Sequence, residues 1–317
     1  MRKRALTTIA AAGVAFAFAG AAAAQDYTIG VSIPAATHGW TGGVVFHAEE
    51  AAQRLEEGYP GLNVIVQTSP DAPSQASAIE DLAAQGIDAL VVLPFNSDEL
   101  TGPVGALASR NQDLFITVVD RGLSDPSIQD LYVAGDNPGF GRVAGEYFAE
   151  NLDEGAQVVV LRGIPTVIDD QRNEAFRAAL EGSGVEIVDS QYANWNRDDA
   201  FRVMQDFLSK HDRIDAVWAS DDDMALGVIE AIRQAEREDI QFVVGGAGMK
   251  QMVQRVMEGD PMIPVNVSYP PAMIATAMAV TAGSFYSPAP VRGTYVLDAE
   301  LITQENADRF FFEDSPF

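Results

Sequence analysis

From Tyr27 onward, short apolar runs alternate with longer amphipathic stretches. "YTIGVSI" reads as a strand and "GGVVFHAEEAAQRLEE" as an amphipathic helix. "LNVIVQTS" with "PSQASAIEDLAAQG", and "DALVVLP" with "SDELTGPVGALASRN", repeat the pair, and "FITVVD" is the next strand. Continuous apolar runs of this length mark parallel strands buried on both faces. Strands alternating with helices predict an α/β class. Near the end, "MIPVNVSYPPAMIATAMAVTAG" reads as a strand, a proline break and a helix. "TYVLDAELITQENADRFFF" reads as a strand followed by a closing turn or helix.

The pattern then recurs. "DLAAQGIDALVVLPFNSDEL" (81–100) and "DFLSKHDRIDAVWASDDDMAL" (206–226) both run helix, loop, Ile-Asp-Ala, apolar strand, polar turn, helix. "YTIGVSIP" matches "AQVVVLRGIP", and "FITVVDRG" matches "IQFVVGGAG". Matching elements lie about 125–130 residues apart, too far for a solenoid repeat. The expectation is two doubly wound parallel-sheet domains, with ligand chemistry beyond the C-terminal ends of the strands. No Pro/Ser/Gly linker divides them, so a hinge of several chain crossings is expected. The expected division is 1–24 as a leader, 25–134 plus 269–293 as the first domain, and 135–268 plus 294–317 as the second.

Residues 1–24 stand apart from this pattern. "MRKR" is a basic start, followed by an alanine-rich apolar stretch ending in A-x-A, which reads as a secretory signal peptide cut after Ala24. The chain is thus expected to be exported to the periplasm as a soluble protein. With no cysteine it can use no thiol chemistry, disulfide or lipid-bearing thioether. The whole chain has 20 basic and 46 acidic residues; without Arg2, Lys3 and Arg4 the balance is 17 − 46 = −29. Such a surface repels nucleic acid and anionic lipid. Beyond the leader only Lys210 and Lys250 remain as lysines, a composition suited to high salt.

Motifs for catalysis are absent. "GFGRVAG" is not G-x-G-x-x-G, no G-x-S-x-G exists, and His38, His47 and His211 lack metal-ligand spacing. No metal or cofactor is expected. Asp120 and Arg121 end an apolar strand, where a carboxylate and a guanidinium fork suit adjacent hydroxyls. Trp40 and Trp195 lie in polar loops, one per half, and aromatic faces pack on sugar C–H faces. His38 beside Trp40 is a further hydrogen-bonding candidate. Three acids at 221–223 precede a helix, where caps and dipole partners are usual.

"VVDRG", "VAGDNPGFGRVAGEYFAE", "DQRNEAFRAAL", "ASDDDMALGVIEAI" and "FVVGGAG", in this order, resemble a type I periplasmic binding protein of the ribose-binding-like group. The resemblance covers everything after the leader. It implies a ligand held by Asp120 and Arg121 from one wall, and by Arg172, opening a helix, from the other. It also implies contacts from Asp221, Asn137, Ser268 and Asn96. Asp222 and Asp223 keep the bland role of dipole partners. The chain departs from the family at Leu93 and Ala247, which replace polar residues, so a smaller, deoxygenated or linear ligand is expected.

The function so implied is a monomeric receptor that passes a small sugar or polyol to an ABC permease. The alternative is a ligand sensor docking on a chemoreceptor or sensor kinase. A secreted hydrolase would need a nucleophile with its base, or a metal, and the sequence offers neither.

Overall fold

The computed structural model describes residues 26–36 and 39–317. The leader at 1–24 and His38 lie outside the described residues. The first half runs β1 (Tyr27–Pro34), α1 (Gly39–Gly58), β2 (Leu62–Ser69), α2 (Ala72–Ala84), β3 (Ala89–Val92), α3 (Ser97–Arg110), β4 (Phe115–Val119) and β5 (Leu131–Gly135). The second runs α4 (Asn137–Asn151), β6 (Gln157–Arg162), α5 (Val167–Ala179), β7 (Glu186–Tyr192), α6 (Arg197–Lys210), β8 (Ala216–Ala219), α7 (Asp222–Gln234), β9 (Phe242–Val244), α8 (Lys250–Met257) and β10 (Asn266–Val267). The chain closes with α9 (Met273–Tyr286), β11 (Gly293–Leu297) and β12 (Leu301–Ile302).

The strands form two parallel sheets, ordered β11-β5-β4-β3-β1-β2 and β7-β6-β8-β9, and a small antiparallel pair, β10 with β12. Both parallel sheets follow one winding, in which the second strand of the half lies outside the first and the third lies inside it. That shared order is the structural form of the sequence repeat. Each parallel sheet is covered on both faces. In the first, α1 and α9 take one side and α2 and α3 the other. In the second, α6 and α7 oppose the tightly packed pair α4 and α5. Strands β3, β4 and β8 are therefore buried along their whole length, as their unbroken apolar runs predicted.

The chain crosses between lobes at Asp136, at 268–272 and at 298–300. The last crossing differs from the expected boundary at 293/294. Gly293–Leu297 pairs in parallel with Leu131–Gly135, so β11 and Gly135 both stay with the first sheet. A strand whose side chains are largely exposed carries no sequence signal of which sheet edge will accept it.

Candidate functional site

Both parallel sheets direct their C-terminal strand ends at one space, where the topology of doubly wound sheets places ligands. A cavity of about 240 Å³ lies there. The first lobe contributes Pro34 at the end of β1, Leu93 and Phe95 after β3, Asp120 and Arg121 after β4, and Trp40 and Thr41 from α1. The second contributes Ile164 after β6, Ile168 and Arg172 from α5, Asn194 and Trp195 after β7, Asp221 after β8 and Ala247 after β9. Tyr269, on the second crossing, completes the lining.

Asp120 is buried and held in the left-handed region at φ 58°. Its N–H donates to the Val133 carbonyl at 2.8 Å and its own carbonyl accepts from the Tyr132 hydroxyl at 2.6 Å. Burial pushes its carboxyl above the usual range, against the pull of Arg121 and a hydrogen bond from Tyr269. Arg121 donates to the carbonyl of Phe95, tying β4 to the loop after β3. That loop is itself held by the buried Gln75, whose amide donates to the Leu93 carbonyl at 2.9 Å and accepts from the Phe95 N–H at 2.6 Å.

On the facing wall, Arg172 is buried and lies in the second turn of α5 rather than at its opening. Its Nε donates to Asn137 Oδ1 at 2.8 Å and Nη1 to the Ser220 carbonyl at 3.1 Å. The guanidinium also lies over both Phe140 and Tyr269, 4.2 and 4.4 Å from the ring centres, the two rings standing at 90° to each other. Asp221 caps α7 by accepting from the Met224 N–H at 3.1 Å. Burial, and then the neighbouring Asp223 charge, raise its carboxyl pKa to about 7.

The two tryptophans bracket the space. Trp40 is not in a loop but in the first turn of α1, where its indole N–H donates to the Tyr269 carbonyl at 2.9 Å. It is a core residue and a lining residue at once. Trp195 is in the predicted loop, with φ 49°. Its ring lies over Gly163, where an added Cβ would sit 2.1 Å from ring atoms, so only glycine admits it.

Six of the ten expected site residues thus meet in the cavity: Trp40, Asp120, Arg121, Arg172, Trp195 and Asp221. Three do not line it, and His38 is outside the described residues. Asn96 is exposed and only caps α3, accepting from the Glu99 N–H at 3.2 Å. Asn137 stands behind Arg172 as its orienting partner. Ser268 faces away, accepting from the Glu300 N–H at 2.8 Å and lining a separate void of about 20 Å³. The residue after it, Tyr269, holds the expected place, because a strand alternates faces and a one-residue slip swaps them.

Two of the three acids at the start of α7 also depart from the dipole role. Asp222 is fully buried and accepts from the N–H groups of Gly246 and Met249 and from Asn266 Nδ2, at 2.8, 2.8 and 2.6 Å. It fixes the loop that carries Ala247. Asp223 reaches across the cleft to accept from the Gly39 N–H of the other lobe at 2.9 Å, while pairing with Arg197 at 2.9 Å. Sequence reading missed these roles, along with Phe95, Ile164 and Ile168, because apolar residues beside a strand end read as core. Among the described residues no cluster of His, Asp or Glu could hold a metal ion.

Comparison with known proteins agrees with this geometry. The family model "Periplasmic binding protein domain" matches residues 29–284. The ribose import binding protein RbsB of Escherichia coli is 28% identical over 260 residues, covering 81% of this chain and 84% of that protein. The xylitol-binding protein of Mycolicibacterium smegmatis is 29% identical over 244 residues, covering 75% of this chain and 67% of that protein. Among solved structures, the Caulobacter myo-inositol binding protein bound to myo-inositol has a TM-score of 0.78 at 25% identity, covering 89% of this chain and 95% of that one. With two doubly wound lobes, a cleft built from their strand ends and a family match over most of its length, the chain belongs to the periplasmic binding protein family.

Proposed function

We propose that this protein is an exported solute receptor that closes its two lobes over one small sugar or polyol and hands it to an ABC permease in the inner membrane. The observation that carries the reading is the opposition of two acid–base pairs, Asp120 with Arg121 and Arg172 with Asp221, across one cavity between the indoles of Trp40 and Trp195. Carboxylates accept hydroxyl protons, guanidinium groups donate to hydroxyl oxygens, and aromatic faces cover C–H surfaces. A cavity of about 240 Å³ is smaller than the roughly 300–1,000 Å³ of sites for drug-sized ligands, which favours a single sugar or polyol. The relatives point the same way, since one is a ribose import binding protein and another a xylitol-binding protein.

Release would follow from hinge opening at the three crossings, with the Gly39–Asp223 contact breaking as the lobes part. Isothermal titration against pentoses, hexoses, deoxy sugars and four- to six-carbon polyols tests the proposal. Binding of at least one of them near the micromolar range, about −8 kcal/mol, is expected. Folded protein that binds none of them would reject it. Mass spectrometry of the exported protein should find an N-terminus within a few residues of Gln25.

A further inference from the structure

The sugar-facing carboxylate Asp120 is already half engaged by the protein itself. Tyr269 leaves the second crossing, and its ring lies against Gly135, where an added Cβ would sit 2.2 Å from it. Its hydroxyl donates a short hydrogen bond to Asp120 Oδ1 and accepts from Asn137 Nδ2 at 3.1 Å. A phenolic hydroxyl thus sits where a ligand hydroxyl would otherwise bridge a carboxylate and an amide. Apolar side chains also line the cavity. Leu93 flanks Asp120 from the neighbouring strand end, and Ala247 flanks the crossing through its parallel bridge to Ser268. Among the described residues no hydrogen bond reaches Asp120 Oδ2 or Arg172 Nη2, so the free polar capacity lies along the other edge of the cavity.

We propose that Tyr269 is a specificity-determining residue whose hydroxyl stands in for a ligand hydroxyl at Asp120, so that the pocket selects sugars or polyols lacking a hydroxyl at that corner, namely deoxy or methyl-bearing ones. This rests on reading the cleft as a sugar or polyol site. A fully hydroxylated ligand would bring one hydroxyl against Leu93 and Ala247 where Asp120 Oδ1 is already engaged by Tyr269. An unpaired buried hydroxyl is a penalty that a methyl or methylene group avoids. The same contact links specificity to the hinge. Asp120 belongs to the first lobe and Arg172 to the second, and the two are joined through Tyr269 and Asn137 on the crossings.

The test is titration of the wild type and Tyr269→Phe with matched pairs: 2-deoxy-D-ribose against D-ribose, D-fucose against D-galactose, and L-rhamnose against L-mannose. In the wild type, at least one deoxy sugar should bind tenfold or more tighter than its parent. In Tyr269→Phe the gap should shrink to threefold or less, through tighter binding of the parent. Parents that bind the wild type as tightly as their deoxy partners, or a ratio that Tyr269→Phe leaves unchanged, would overturn the proposal while leaving the sugar-receptor reading intact. Folded wild type that binds no member of any pair and no polyol rejects both readings. A ligand-free check uses carbon-detected NMR of labelled aspartate. Losing the Tyr269 donor should move the Asp120 carboxyl titration to higher pH, and an unmoved titration means that Tyr269 does not occupy this carboxylate.

Discussion

Helices α3 and α7 begin at matching places in the two halves, each after a fully buried strand of four residues and each with a capping side chain. In the first half three residues, Leu93 to Phe95, separate the strand from the cap at Asn96. In the second half only Ser220 intervenes before Asp221. The longer turn carries Asn96 out to solvent and leaves Leu93 and Phe95 in the cavity. The shorter one keeps Asp221 buried at the strand end, where it caps the helix and lines the cavity together. The same duplication has therefore produced an apolar corner on one wall and an acid on the other. Two residues of turn length decide which side chains a ligand meets.

The largest expected effect lies one position past the caps, where Ser97 in the first half matches Asp222 in the second. Asp222→Ala should lose about 3 kcal/mol or more in urea unfolding, because three buried donors lose their acceptor at once. Ser97→Ala should stay within about 0.5 kcal/mol. Equal losses at the two sites would mean that the halves are anchored alike.

Arg172→Ala comes next. It should weaken ligand binding about 30-fold, or ~2 kcal/mol, by titration, since the facing wall loses a buried charged donor. An affinity within threefold of wild type would take the second wall out of recognition.

A pH series sharpens the contrast between the caps. Asp221 has its pKa raised from 3.8 to about 7. Between those values the native state keeps a proton that the unfolded chain has released, so the protein loses stability as pH rises from about 4 to about 7 and levels off above. Asp221→Asn keeps a capping oxygen and removes the titration. Its stability relative to wild type should climb across that window by on the order of 1–2 kcal/mol, allowing for relaxation around a buried charge. A difference that stays flat with pH means that Asp221 titrates as an exposed acid.

The smallest effect belongs to the exposed cap. Asn96→Ala should cost about 1 kcal/mol of stability and leave ligand affinity within twofold. A larger loss of affinity would put Asn96 back in the pocket.

Much of this was legible in the chain itself. Period and length set the strands and helices, because a strand covered on both faces must be apolar throughout, and "ALVV" and "AVWA" are. The repeat of Ile-Asp-Ala with its strand and polar turn announced two like lobes, and charged residues closing an apolar strand marked Asp120 and Arg121 as facing the cleft. Those features are local, and a linear pattern carries them. The identity of the third partner at each corner is not local. Ser268 and Tyr269 are adjacent, and only the register of the crossing decides which faces the cavity. Asp222 and Asp223 look alike in sequence, yet one is sealed against the loop after β9 and the other bridges to Gly39 of the opposite lobe. Placement of β11 on the first sheet was likewise settled by pairing with Leu131–Gly135, not by its own residues. The sequence by itself determined the elements, the duplication and the strand ends that bear charge, because each depends on neighbours a few residues away. Tertiary structure alone decided which groups share a hydrogen bond across the cleft, because those partners are brought together by the docking of two lobes, as Gly39 and Asp223 are across 184 residues of chain.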